Sequence, residues 1–82
     1  MIIYLYSTAA CHLCEQSKAI LWPLLSKYQF RLQEIDIAND DVLIERYGIR
    51  IPVLGAVNHP MELNWPFSAQ QVDDFFAHVG TL

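Results

Sequence analysis

Residues 2–6, IIYLY, form an unbroken run of β-branched and aromatic residues, the pattern of a strand covered on both faces. Ser7 to Ala10 interrupt it. From about Cys11 to Lys27, Leu13, Ile20, Leu21, Leu24 and Leu25, then Tyr28, recur at helical spacing, while Glu15, Gln16 and Lys18 occupy the other side. The spacing predicts an amphipathic helix, kinked at Pro23, which removes a backbone donor and crowds the preceding turn. Residues 30–37, FRLQEIDI, alternate and predict a second strand with one wetter face. Asn39 is the expected N-cap of a short helix, with Asp40 and Asp41 set against its dipole. Gly48 is expected to end that helix in the left-handed region after Tyr47. Residues 51–57, IPVLGAV, predict a third strand, Asn58-His59 a tight turn, and Met61 to Leu63 a short edge strand entered at Pro60. Ser68-Ala69-Gln70-Gln71 has the form of a capping box. Val72, Phe75, Phe76 and Val79 then make the apolar stripe of a last helix, closed by Gly80.

The order is therefore β-α-β-α-β-β-α. A βαβ start requires a parallel pair with a right-handed crossover, and a late hairpin requires an antiparallel one, so the sheet is mixed and the class is α/β. At 82 residues the chain has room for one domain, spanning 1–82. No disulfide framework staples it, because its two cysteines are three positions apart. A dense core must hold it, in keeping with an apolar content of 54%. Tyr4 and Leu5 are expected to pack against the first and last helices, with Leu24, Ile35, Val53, Val72 and Phe76 filling the core.

Net charge is −4 and the five Lys and Arg residues are dispersed, which disfavours a nucleic-acid partner. The apolar runs fall short of the ~18–20 residues that span a bilayer, so no membrane association is expected. The N-terminus has no basic segment and no small-residue cleavage site, which leaves a cytoplasmic address as the default. Thiols there rest mostly reduced unless chemistry cycles them.

Cys11-His12-Leu13-Cys14 stands where the first strand hands over to the first helix. Cysteines at i and i+3 on a first helical turn share a face and can close a disulfide. The first also meets the unpaired N–H groups and positive end of the helix, which favour thiolate, the attacking species. Cys11 is thus the candidate nucleophile, and the deeper Cys14 the candidate resolving thiol. Two blander readings stand beside this one. The pair could be small buried hydrophobes, or with His12 or His59 part of a zinc site, although adjacent Cys11 and His12 make awkward ligands. No metal is expected. His12, His59 and His78 read as surface residues, and Trp65 reads equally as a groove wall or as core.

The segments YSTAACHLCE and ERYGIRIPVL resemble the two diagnostic blocks of the thioredoxin superfamily, most closely its small glutaredoxin-like members. The resemblance implies a thioredoxin-like fold with sheet order 2-1-3-4 and helices on both faces. It also implies a cis bond between Ile51 and Pro52, with that pair facing the dithiol as the substrate-binding edge. The implied activity is thiol–disulfide oxidoreductase or electron carrier, acting on a disulfide-containing protein or small thiol. No cofactor is implied as bound; glutathione or a reductase would restore the dithiol, and glutathione could be a co-substrate. Two positions depart from the glutaredoxin pattern. Thr8 stands where a Lys or Arg usually precedes the nucleophile by three. Asn64-Trp65-Pro66-Phe67-Ser68 replaces the Gly-Gly-acidic segment that contacts glutathione's carboxylate. Only the main-chain contact at Ile51 is independent of side-chain identity. The competing class is a thioredoxin-fold module that binds a peptide or metal without turnover.

Overall fold

Alternation within the first strand decides how the sheet is covered. In the computed structural model, which describes residues 1–9 and 11–80, β1 (Ile2–Ser7) exposes its two faces differently. Ile3 and Leu5 are fully buried, while Ile2, Tyr4 and Tyr6 on the opposite face are half-buried. Ile3 and Leu5 join a core with Leu21 and Leu25 of α1 (His12–Tyr28) and Val72, Phe75, Phe76 and Val79 of α3 (Ala69–Gly80). The other face carries a smaller cluster of Ile37, Tyr47 and Val53, with Tyr6, Leu43 and Ile51 against it. It is covered by α2 (Asp41–Tyr47), two turns long, too short to bury the whole strand. The expectation that Tyr4 and Leu5 both meet α1 and α3 is corrected for Tyr4, since successive strand residues point to opposite faces. Tyr4 tilts against Tyr6 instead.

The sheet has the order β2-β1-β3-β4, as the resemblance implied. β2 (Arg31–Asp36) runs parallel to β1, with Tyr6 beside Ile35, and β3 (Val53–Ala56) runs antiparallel to it, with Tyr6 opposite Val53. Ile35 is half-buried and Val53 fully buried on the α2 side, so neither joins the larger core. β3 is buried throughout and shorter than expected. β4 (His59–Asn64) is longer, with Pro60 inside it, tolerated because β4 is an edge strand with only β3 to pair. The turn comprises Val57 and Asn58, one residue earlier than predicted, and Asn58 adopts positive φ (58°).

Two helix ends differ from expectation. Asp40, not Asn39, caps α2: its Oδ1 accepts from the N–H groups of Val42 (2.9 Å) and Leu43 (3.2 Å). Asp36 has already captured Ala38 N–H at 2.9 Å, which winds Ile37–Asn39 into a short 3₁₀ turn and moves the helix start on by one. Gly48 is right-handed (φ −48°), and the left-handed helix end belongs to Gln29 (φ 58°), the C-cap of α1. Gly48 is needed for close approach: a Cβ there would lie 2.5 Å from the carbonyl oxygen of Ile44. α1 runs continuously through Pro23; Pro23 and Ala19, whose carbonyl lacks the helical donor that Pro23 cannot supply, are both exposed residues.

The capping box forms as read: Gln71 N–H donates to Ser68 Oγ (3.2 Å), and Ser68 N–H to Gln71 Oε1 (2.8 Å). α3 is fastened to the end of α1 by Asp73, which accepts from the Tyr28 hydroxyl and from Lys27 Nζ at 2.9 Å.

Candidate functional site

The end of β1 and the start of β3 lie side by side. Val53 pairs with Tyr6, so Pro52 falls beside the point where the chain leaves β1 for the cysteines. The Ile51–Pro52 bond is cis, as expected, and so is Trp65–Pro66, which the residue pattern did not signal. Pro52 is buried, and its carbonyl accepts the Trp65 N–H at 3.2 Å. Ile51 is half-buried, its side chain turned into the Tyr47 cluster. Trp65 packs edge-on to Phe67 with ring centres 5.0 Å apart, against the larger core.

Cys11 is the N-cap of α1, with extended backbone (φ −90°, ψ 101°). Its Sγ takes the position that a capping oxygen usually holds and accepts the N–H of Cys14 at 3.1 Å. The two cysteines are joined as a disulfide with Cα atoms 5.2 Å apart. Cys11 is half-buried, whereas Cys14 is 2% exposed. Behind it the fully buried Ser17 donates its hydroxyl to the Cys14 carbonyl at 2.6 Å, fixing the first turn. His12 and Leu13, the two residues between the cysteines, are exposed. The i, i+3 geometry and the difference in depth are those expected from the sequence.

Beside the cysteines lies a cavity of about 280 Å³, lined by Ser7, Thr8, Ala9, Glu15, Glu34 and Asp36. Its lining carries three carboxylates and no cation. Lys18 meets it from α1, pairing with Glu34 at 2.8 Å and Glu15 at 3.2 Å. The Glu34 hydrogen bond, outweighing partial burial, pushes the Lys18 ammonium above its usual range. Glu34 also accepts from Ser7 at 3.4 Å. Thr8, at the position of the usual glutaredoxin cation, therefore faces an acidic cavity.

His59 is half-buried, not a solvated surface residue: its Nδ1 accepts the Met61 N–H at 3.1 Å, and its ring meets His78 edge-on at 5.5 Å. Among the described residues no group of three or more His, Cys, Asp or Glu side chains is placed to hold a metal ion. Among them, too, no helix is long and apolar enough to cross a membrane. Residues the sequence does not mark are Arg50 and Glu62, which gather with Asn64 at the α2–β4 side of Pro52. Nothing in their spacing marks them, because their meeting depends on the β3–β4 register.

Sheet order, helix placement and a Cys-x-x-Cys disulfide capping the first helix define the class: a small thioredoxin-fold domain with a redox-type dithiol. The chain belongs to the Glutaredoxin-like domain family (DUF836), which matches residues 2–77. It is similar to a solved structural genomics target protein from X. campestris, at 30% identity and TM-score 0.75, covering 93% of this chain and 96% of that one. Protein Ne2328 from Nitrosomonas europaea is 34% identical with TM-score 0.77, covering 89% and 87%. Thioredoxin 1 from Thermosipho africanus shares the fold (TM-score 0.68 over all of both chains) at 11% identity. A comparison with curated proteins gives no match.

Proposed function

We propose that the protein is a thiol–disulfide oxidoreductase that works through both cysteines. One observation carries this reading: Cys11 Sγ sits at the helix N-terminus and accepts the Cys14 N–H, while Cys14 is buried behind it. Once the disulfide is reduced, an N–H donor at this position and the helix dipole both favour thiolate, which makes Cys11 the nucleophile. Its thiolate attacks one sulfur of a substrate disulfide, forming a mixed disulfide and expelling the other sulfur as a thiolate that takes a proton from water. Cys14 then gives up its proton and attacks Cys11 sulfur, which releases the second substrate thiol. Two electrons pass from the dithiol to the substrate, and the Cys11–Cys14 disulfide remains. Two equivalents of glutathione, or a reductase dithiol, return those electrons. Such a cycle suits a reducing compartment such as the cytoplasm.

The substrate lies along the Ile51–Pro52 edge, held by the Ile51 main chain. Glutathione as co-substrate is disfavoured at Thr8, where the anionic tripeptide would meet Glu15, Glu34 and Asp36. The test is turnover of a glutathionylated peptide by Cys14→Ser with excess reduced glutathione. Trapped adduct with little turnover is the expected result, and Cys11→Ser should be inert. Activity of Cys14→Ser near wild type would replace this reading with an ordinary monothiol glutaredoxin route. A wild type that neither closes nor opens its disulfide would leave a non-catalytic binding module.

A further inference from the structure

Arg50 immediately precedes the Ile51–Pro52 pair, and its guanidinium is engaged on three sides. Nη1 donates to the Arg46 carbonyl of α2 at 3.3 Å. Nη2 donates to Asn64 Oδ1 at the end of β4 at 3.0 Å and lies 3.7 Å from Glu62. Its carbon stands 5.6 Å from the centre of the Tyr47 ring. Tyr47 is itself fixed: it is 2% exposed, stacks on Tyr6 at 4.1 Å and donates its hydroxyl to Glu62. The Arg50 side chain remains 43% exposed, so its ion pair adds little to overall stability. What it does is local. Residue 50 is tied to Asn64 through its side chain, and residue 52 to Trp65 through its carbonyl. Ile51 is suspended between two attachments to the same end of β4.

We propose that Arg50 is a positioning residue of the dithiol site. Acting through Asn64, Glu62 and Tyr47, it holds the Ile51 main chain in the place where a substrate polypeptide lies. This rests on the reading above that the Ile51 edge faces substrate. Arginine is required because the task needs a planar fork with donors in two directions and a face against an aromatic ring; lysine offers a single point charge.

The test compares Arg50→Ala, Arg50→Lys and Asn64→Ala with wild type. Each is assayed on a peptide containing one disulfide and on bis(2-hydroxyethyl) disulfide, which is too small to follow the Ile51 edge. Amide hydrogen exchange at Trp65 is read in parallel, as is alkylation of reduced Cys11. All three variants should raise KM for the peptide about fivefold, equivalent to ~1 kcal/mol at 1.4 kcal/mol per factor of ten. The peptide kcat, turnover of the small disulfide and alkylation of Cys11 should stay level, and Trp65 exchange should quicken. Unchanged peptide KM overturns the proposal. So does a higher KM without faster Trp65 exchange, which would make Arg50 a direct substrate contact. Recovery by Arg50→Lys also overturns it, since charge alone would then suffice. Asn64→Ala keeps the test open should Arg50→Ala fail to fold. A wild type inactive on both disulfides would remove the redox reading, while Trp65 exchange would still show whether Arg50 holds this segment.

Discussion

Replacing Phe76 by Ala probes the layer on which the site is mounted. Phe76 is fully buried, and its ring meets those of Tyr28 (5.7 Å) and Phe30 (5.4 Å) edge-on, joining α3 to α1 and to the entry of β2. Removing a buried phenyl ring costs ~3–5 kcal/mol, made up of lost transfer free energy and the cavity left behind. Loss of two edge-to-face contacts places this site toward the upper half of that range. A domain of this length has roughly 4–12 kcal/mol to lose, so the variant should keep only a fraction of the wild-type stability. Urea denaturation of the oxidised protein checks this, together with a thermal melt. At ~4–8 °C for each kcal/mol, Tm should drop by more than about 12 °C. Val42→Ala, at a site 70% exposed, is the control and should stay within about 0.5 kcal/mol. A Phe76→Ala loss below about 1 kcal/mol would refute the claim that α3 is packed through this ring.

Three further outcomes are expected. His12→Ala should move the pH midpoint of Cys11 alkylation by less than about one unit, equal to 1.36 kcal/mol, because the helix terminus and the Cys14 N–H supply the thiolate stabilisation; a larger upward move would assign it to His12. Asp73 is held below the usual carboxylate range by the Tyr28 hydroxyl first and by Lys27 second, so the stability it contributes is full above about pH 3.8 and is lost as pH falls through its lowered value. Melts of Asp73→Asn below pH 4 should therefore show a flatter acid limb than wild type. Tyr47 is pushed well above its usual value by burial and then by its bond to Glu62, so its contribution is full below pH 10 and declines as pH rises further. Tyr47→Phe should lose part of the fall in stability that wild type shows above pH 10, and an unchanged alkaline limb would contradict the assignment.

Elements with a strong local period were legible. The Val72–Val79 stripe and the Ser68–Gln71 capping box form as the spacing requires, because both depend on neighbours within one or two turns. Cys11 and Cys14 were legible for the same reason: their relation is set by a single helical turn. The two faces of β1 were not. IIYLY looks equally apolar on either side, and only the length of α2 leaves the Tyr4 face partly uncovered. The start of α2 went astray because Asp36, Asn39, Asp40 and Asp41 all suit a cap, and competition between two short turns settled it. The meeting of Arg50 with Glu62 and Asn64 was invisible because residues 12 to 14 positions apart meet only through the β3–β4 pairing.

The two flanks of the dithiol differ in what they offer a substrate. On the β2 side, Thr8 opens onto Glu15, Glu34 and Asp36, and the one lysine nearby is spent on Glu34 and Glu15. On the β4 side, the Arg50 guanidinium is committed to Asn64, Glu62 and the Tyr47 ring. Neither flank presents an uncommitted cation among these residues, so a small anionic thiol would find attraction mainly at the helix N-terminus, where the disulfide itself lies. The main-chain recognition proposed for Ile51 would carry no such charge requirement and would grow with the length of chain laid beside it. On that proposal, affinity comes from polypeptide backbone more readily than from the carboxylates of glutathione. Under the proposed function, the absence of a cation at Thr8 and the anchoring of residues 50 and 52 to the end of β4 both favour a disulfide carried on a polypeptide over glutathione.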